Sequence, residues 1–331
     1  MGLLDFSEGD YIRTVDGLFF AVKGGRHSDD LVVAILRYVP DEEGERILDG
    51  KRYSRIYDIG QTTSFLRENH GEYLNYIEWL GLELQSVPKS RIAEIYKPGV
   101  KLKEILVNPR SNLEQLVSRF VGTLSAESGV DVSFFGVSGS TLIGLETSDS
   151  DIDLNVYGEF EGRKVYDALR KIRQEQDWVS AYDETSIEPV LVSRWADTGL
   201  DLERFRPIEC SKVLHGLIDG VDYFIRLLME EDESNSTPLG TVTLSATITD
   251  ATHSIYTPCI YRVDNVVIED GSEQLMVSEL KSYRGKYTEQ VKQEDRIHAR
   301  GTLEKVDAND AFFYRLVLGR RGDYLLSLIH I

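Results

Sequence analysis

Through the first part of the chain, short β-like runs rich in apolar positions, Asp10 to Thr14, Leu18 to Lys23, Leu31 to Pro40 and Lys51 to Tyr57, alternate with polar, glycine-containing turns. A period of two sends successive side chains to opposite faces of a strand, and Asp16-Gly17, Gly24-Gly25 and Asp49-Gly50 between the runs predict hairpin turns. The period then lengthens. Phe65, Leu66, Tyr73, Tyr76, Ile77 and Leu80 predict a helix capped by Thr62 or Thr63, with Gly71 weakening its middle. Pro98-Gly99 and Asn108-Pro109 mark the exit from a small α+β domain, residues 1–108.

From Ser111, the positions Leu113, Leu116, Val117, Phe120, Val121 and Leu124 predict an amphipathic helix. A strand from Asp131 to Val137, a short helix and a strand from Asp151 to Tyr157 follow. Next come a helix from Gly162 to Gln176, helical pieces from Thr185 to about Leu217, and a strand from Val221 to Leu228. This alternation predicts a compact α/β core over residues 109–230. Residues 231–238, an acidic polar run ending in Pro238, read as a linker. Beyond it, Thr241 to Thr249, Tyr256 to Ile268, Gln274 to Ser278, Arg296 to Lys305 and Phe312 to Gly319 predict strands, with a short helix near Tyr287 to Gln293. Residues 239–331 are therefore expected to form a small closed β-barrel of the OB type. The last six residues, from Leu326 to Ile331, break the polar pattern without a turn. They read as foreign to the fold, with a longer, different terminus expected. The fold class is α+β, multidomain.

The length, 331 residues, suits two or three domains, and 41% hydrophobic with 28% charged residues excludes collagen-like and disordered chains. No run approaches about 18 apolar residues, and MGLLDFSEGD carries no basic leader, so a cytoplasmic protein without a membrane span is expected. Cys210 and Cys259 fit neither a disulfide framework nor a metal site and read as buried thiols. A net charge of −19 argues against an extended basic surface for duplex DNA. The acidity is uneven. From Leu239 onward, eleven basic residues face thirteen acidic ones, a balance of −2.

The chemistry-bearing segment spans residues 134–158, FFGVSGSTLIGLETSDSDIDLNVYG. Alternation along the second strand puts Asp151, Asp153 and Asn155 on one face and Ile152, Leu154 and Val156 on the other. Two carboxylates so close repel, and a hard dication such as Mg²⁺ relieves them. Gly139 allows a tight turn after the first strand, while Ser140 can cap the helix from Thr141 to Leu145. Its hydroxyl and the adjoining amides then suit the phosphates of a nucleoside triphosphate. Asp149 reads as a turn residue.

Gly139-Ser140, ten residues, then Asp151-Ile152-Asp153 resembles the signature of the polymerase-β-like nucleotidyltransferase superfamily, a likeness covering about 110 to 230. It implies attack of an acceptor hydroxyl on the α-phosphorus of a nucleoside triphosphate such as ATP, with release of pyrophosphate. Two Mg²⁺ ions, or Mn²⁺ in their place, would be held by Asp151 and Asp153. A third carboxylate is needed: Asp222 is the first candidate, with Glu209 and Asp201 as weaker substitutes. Lys212, Arg204 and Arg206 are candidates, by position, for contacts to the triphosphate. Lys281-Ser282-Tyr283-Arg284-Gly285-Lys286-Tyr287 interleaves basic and aromatic residues, which suits a nucleic-acid acceptor on the C-terminal domain. The alternative is an inactive member of the fold serving as a nucleic-acid-binding module. His27, His215 and the tyrosines at 38, 53, 57, 73 and 76 read as structural.

Overall fold

A computed structural model describes residues 5–230, 234–269, 275–308 and 311–328. The chain opens with β1 (Tyr11–Thr14), β2 (Phe19–Val22), β3 (Leu31–Pro40), β4 (Arg46–Leu48) and β5 (Lys51–Arg55). Helix α1 (Ile59–Asn69) is capped by Asp58, whose carboxylate accepts from the Gln61 N–H, rather than by Thr62 or Thr63. It stops before Gly71. The residues expected to prolong it form β6 (Leu74–Ile77), because Leu74 to Ile77 also alternate and pair with Gln85 to Leu82 of β7 (Leu82–Pro88). After β8 (Ile92–Tyr96), Pro98 opens α2 (Pro98–Val107) as its first helical residue, where a missing N–H is harmless.

Helix α3 (Asn112–Ser128) is capped by Ser111, as expected. Then come β9 (Phe135–Val137), shortened by a 3₁₀ turn over Val132–Phe134, α4 (Gly139–Ile143) and β10 (Ile152–Tyr157). They are followed by α5 (Glu159–Glu175), β11 (Val179–Ser180), α6 (Glu188–Trp195), α7 (Arg206–Ser211), β12 (His215–Ile218) and β13 (Val221–Leu228). β12 stands where helix was expected. The last elements are β14 (Asn235–Asp250), β15 (Tyr256–Thr257), β16 (Cys259–Ile268), β17 (Val277–Ser282), β18 (Arg296–Ala308), β19 (Ala311–Leu318) and β20 (Tyr324–Ser327). The protein is a mixed α/β, multidomain chain. Among the described residues no helix is long and apolar enough to cross a membrane.

The chain divides into two compact units, the first made of residues 1–78, 82–157 and 221–225, the second of 79–81, 158–220 and 226–331. In the first, strands run in the order β4-β5-β3-β2-β1-β8, with β7 also on β3. Adjacent Phe19 and Phe20 point to opposite faces of this sheet. Phe20 packs with Ile12, Val22, Leu36, Leu66 and Tyr73, whereas Phe19 packs with Tyr11, Tyr38, Tyr53 and, from the motif segment, Leu142, Ile143 and Leu145. The sheet is thus buried on both faces, and the second face carries the segment that follows Gly139. Tyr38, Tyr53 and Tyr73 are core residues, while Tyr57 and Tyr76 are exposed.

In the second unit, β14-β16-β17-β19-β18 closes into a ring through β14–β18 pairing, with β17 and β19 parallel and the other neighbours antiparallel. Asn235 to Pro238, expected in the linker, belong to β14 and pair with Asp307 to Glu304 of β18, which satisfies their backbone groups. Residues 231–233 lie outside the described ones. β20 adds to β18 through Leu326 and Ser327, which are buried, so these two of the last six residues belong to the fold. Residues 329–331 lie outside the described ones. The barrel core takes in Ile187, Leu191, Trp195 and Phe205, and Trp195 stacks on Phe205 at 4.1 Å. The short helices of residues 188–211 therefore group with the barrel, not with a core ending at residue 230. Cys259 is buried as expected, Cys210 only half-buried.

Candidate functional site

The site is built on the β9 and β10 pair, antiparallel with Val137 opposite Leu154, Gly136 opposite Asn155 and Phe135 opposite Val156. At the end of β9 the Ser138 N–H donates to the Asp153 carbonyl at 2.8 Å, and the chain turns at Gly139 with φ +65°. A Cβ at Gly139 would lie 2.3 Å from Asp153 Oδ2, so the turn rests directly on the carboxylate. Every residue of α4 is buried. Ser140 lies inside this short helix instead of capping it, and its hydroxyl bonds Ser150 Oγ at 3.1 Å. Ser150 Oγ in turn accepts from the Thr147 N–H at 2.9 Å, which ties the connecting loop back to Ser140. Asp149 is an exposed turn residue, as expected.

Alternation predicts an open carboxylate face on β10, yet Ile152 to Val156 are all buried, with Asp153 only 8% and Asn155 0% exposed. The cover comes from the N-terminal region. Gly9, at φ +93°, approaches so closely that a Cβ there would fall 2.0 Å from Asn155 Nδ2, and its carbonyl accepts from Ser138 Oγ at 3.1 Å. Asn155 Oδ1 and Thr141 Oγ1 are buried without a hydrogen-bond partner.

The N-terminal sheet brings cations. The Arg55 guanidinium lies 4.4 Å from the centre of the Tyr57 ring and 5.9 Å from that of Tyr38, and Arg46 lies 5.5 Å from Tyr38. Arg46 also donates to the Leu145 carbonyl at 2.5 Å. Burial chiefly, then Tyr11, drives the Tyr38 hydroxyl well above its usual pKa; Arg55 and Arg46 oppose the rise and Asp153 adds to it. Burial opposes the charge of Arg55, but Tyr38 and then Asp151 outweigh it and raise its pKa. Arg55 is therefore a protonated cation within electrostatic reach of Asp151. Sequence reading missed it, because nothing in the hairpin of β4 and β5 signals a partner about a hundred residues later.

Asp222 is exposed on β13, the strand next to β10. Alternation puts it on the face opposite Tyr223, whose ring packs 5.4 Å from Phe120. Lys212 and Arg204 fall in the second unit. Lys212 is 2% exposed, with its ammonium held at 2.6 Å by both Glu209 Oε1 and the Lys286 carbonyl, so it is a structural cation and not a phosphate contact. Arg206 is paired with Glu188 and Glu203, each at 2.6 Å. Arg204 ends an exposed 3₁₀ turn capped by Asp201. Glu209 is fully buried and takes bonds from Arg194, Trp195 and Lys212, which removes it as a substitute third carboxylate. His27 accepts from the Val33 N–H and His215 bonds the Glu209 carbonyl, both structural roles.

In the proposed nucleic-acid segment, Lys281, Lys286 and Tyr287 are buried, and Tyr283 is 36% exposed. Elsewhere, Asp16, His70 and Glu72 bring potential ligand atoms within 4.8 Å of one another. Arg91 already bridges Asp16 and Glu72, at 2.9 and 3.2 Å, and occupies their facing oxygens.

No family model matches the chain. It is 27% identical to an uncharacterized protein of Methanocaldococcus jannaschii, over 97% of this chain and 98% of that one. The likeness therefore runs through the flanking regions as well as the motif. No solved structure matches.

Proposed function

We propose that the chain is a Mg²⁺-dependent nucleotidyltransferase, moving a nucleoside monophosphate from a nucleoside triphosphate to an acceptor hydroxyl with release of pyrophosphate. The observation that carries this reading is the contact of the Gly139 turn with the Asp153 carboxylate. It brings backbone suited to phosphate against a side chain suited to metal, and a side chain at position 139 would fill the cradle. Asp151 and Asp153, with Asp222 on the neighbouring strand, would offer only carboxylate oxygens, the ligands a hard dication prefers. Mg²⁺ bound there supplies charge neutralisation of the triphosphate and of the oxygens entering and leaving the α-phosphorus.

The chain's own residues account for the rest. Ser138 and Gly139 hold the turn against β10, and the Ser140–Ser150 bond fixes the loop leading into Asp151. The acceptor oxygen bonds the α-phosphorus as the bridge to the β-phosphate breaks; the hydroxyl proton goes to Asp222, whose exposure supports that role. The ring order of the barrel, with its third and fifth strands parallel, supports an OB-like reading and makes nucleic acid the first acceptor class to test.

The test is transfer of α-labelled nucleotides, with Mg²⁺ or Mn²⁺, onto cellular RNA, DNA and protein, beside an Asp151→Asn/Asp153→Asn double variant. Label that depends on both carboxylates establishes the reaction, and its carrier names the acceptor. Equal label with the double variant overturns it.

A further inference from the structure

We propose that Arg55 clamps the polyphosphate of the nucleotide, so that the N-terminal sheet supplies the cation that Lys212, Arg204 and Arg206 were expected to provide. The inference rests on the transferase reading. A site with paired carboxylates and a polyphosphate needs positive charge that its own acidic residues cannot offer. Lys212 and Arg206 are committed to carboxylates in the second unit. In the first unit, Arg55 lies over the ring of Tyr38, which packs in one buried cluster with Leu142, Ile143 and Leu145 of the segment that follows Gly139 and leads to the carboxylates.

Three features suit Arg55 to an anion. Its Nε is buried with no hydrogen-bond partner while the side chain as a whole is half-buried, so the group holds an unmade bond that a phosphate oxygen can satisfy. The Tyr57 and Tyr38 rings hold the guanidinium plane and limit the freedom lost on binding. The planar fork of arginine matches two phosphate oxygens at once, which lysine cannot do. Arg46 is different. Its bond to the Leu145 carbonyl ties the segment after α4 to the sheet, making it a positioning residue and not the clamp. The clamp reads phosphate and not base, so it distinguishes a nucleoside triphosphate from a monophosphate and treats the four bases alike.

The experiment titrates ATP, AMP and inorganic tripolyphosphate calorimetrically into the full chain with Mg²⁺, for wild type, Arg55→Gln, Arg55→Lys and Asp153→Asn. Arg55→Gln should weaken ATP and tripolyphosphate by about tenfold or more, the scale of a lost charge-assisted bond, and leave AMP nearly unchanged. Arg55→Lys should fall between, keeping charge and losing the fork; it also carries the test if the glutamine variant does not fold. An unchanged ratio of ATP to AMP affinity in the folded Arg55 variants overturns the clamp. If Asp153→Asn meanwhile abolishes the Mg²⁺ dependence of ATP binding, the transferase reading survives that failure. A wild type without preference for ATP over AMP overturns both.

Discussion

The Gly139 α-carbon lies against the Asp153 carboxylate, so close that a Cβ would meet Oδ2 at 2.3 Å. Two elements separated by a buried helix and a loop are thereby locked into one piece of structure. Gly139→Ala should expose this relationship. The new methyl must displace the carboxylate or open the turn, and φ +65° strains any side chain there. A loss of about 1–3 kcal/mol is expected from overpacking, read as a lower urea midpoint at unchanged slope. Nucleotide transfer should fall as well, measured under conditions where the variant remains folded. A variant of unchanged stability would show that the turn and the carboxylate are not in contact.

The carboxylate pair predicts a separation between stability and activity. Asp153→Asn removes one charge from a repelling pair while keeping its shape, so it should not lower the melting temperature of the metal-free protein, whereas Asp151→Asn also gives up the attraction of Arg55 and should lower it slightly. Mg²⁺ should raise the melting temperature of wild type, by about 2.7 kcal/mol of stabilisation at a hundred times the dissociation constant. The double variant should show no such shift. Equal Mg²⁺ shifts in both proteins would remove the metal from these residues.

Much of this architecture is legible in the chain, for physical reasons that also explain the failures. The strands from Tyr11 to Arg55 are short runs rich in apolar, β-branched and aromatic residues, bounded by glycine-containing turns, and Ser111 is an ordinary cap, so these elements read directly. The Asp-x-Asp strand reads equally well, because Ile152, Leu154 and Val156 alternate with polar residues. What escapes notice is tertiary. Leu74 to Ile77 fit helix and strand alike until β7 supplies pairing partners. The buried Asn155 looks like a solvent-facing residue until Gly9 arrives from the far end of the sequence. Arg55 and Lys212 are both plain cations in the sequence, and only the fold shows Lys212 in contact with a carboxylate and Arg55 stacked on tyrosines.

The segment from Lys281 to Tyr287 illustrates the same point and can be tested. Tyr287 is fully buried and its hydroxyl donates to the Asp323 carbonyl at 2.7 Å, whereas Tyr283 is 36% exposed. Tyr287→Phe should cost about 1–2 kcal/mol by leaving that carbonyl unpaired, with no change in the affinity for single-stranded oligonucleotides. Tyr283→Ala should leave stability unchanged. If the barrel binds nucleic acid through this segment, a fluorescence titration should show the loss with Tyr283→Ala and not with Tyr287→Phe. A Tyr287→Phe protein of normal stability but weaker binding would return the buried ring to the interface.

Glu209 sets the response of the second unit to acid. Its carboxylate accepts from Lys212 at 2.6 Å, Arg194 at 2.9 Å and Trp195 Nε1 at 3.0 Å, with no exposure to solvent. Burial alone would raise its pKa; the charges of Lys212 and then Arg194 outweigh burial and hold it down at about 2, against 4.5 for a free glutamate. A folded value below the unfolded one stabilises the protein above the unfolded pKa, and that stability is lost as pH falls from about 4.5 toward about 2. Glu209→Gln should remove this acid limb from the curve of unfolding free energy against pH. It also leaves the buried Lys212 and the half-buried Arg194 without their counter-charge, an expected cost of about 3–5 kcal/mol near neutral pH. The Lys212 ammonium is already pulled below its usual pKa, by burial first and by Arg194, with Glu209 opposing. Without Glu209 it should shed its proton more readily, so the variant should recover stability as pH rises more steeply than the wild type does. Urea unfolding of both proteins from acid to mildly alkaline pH reads the two slopes, and a variant that tracks the wild type through the acid limb would show that Glu209 is not the group responsible.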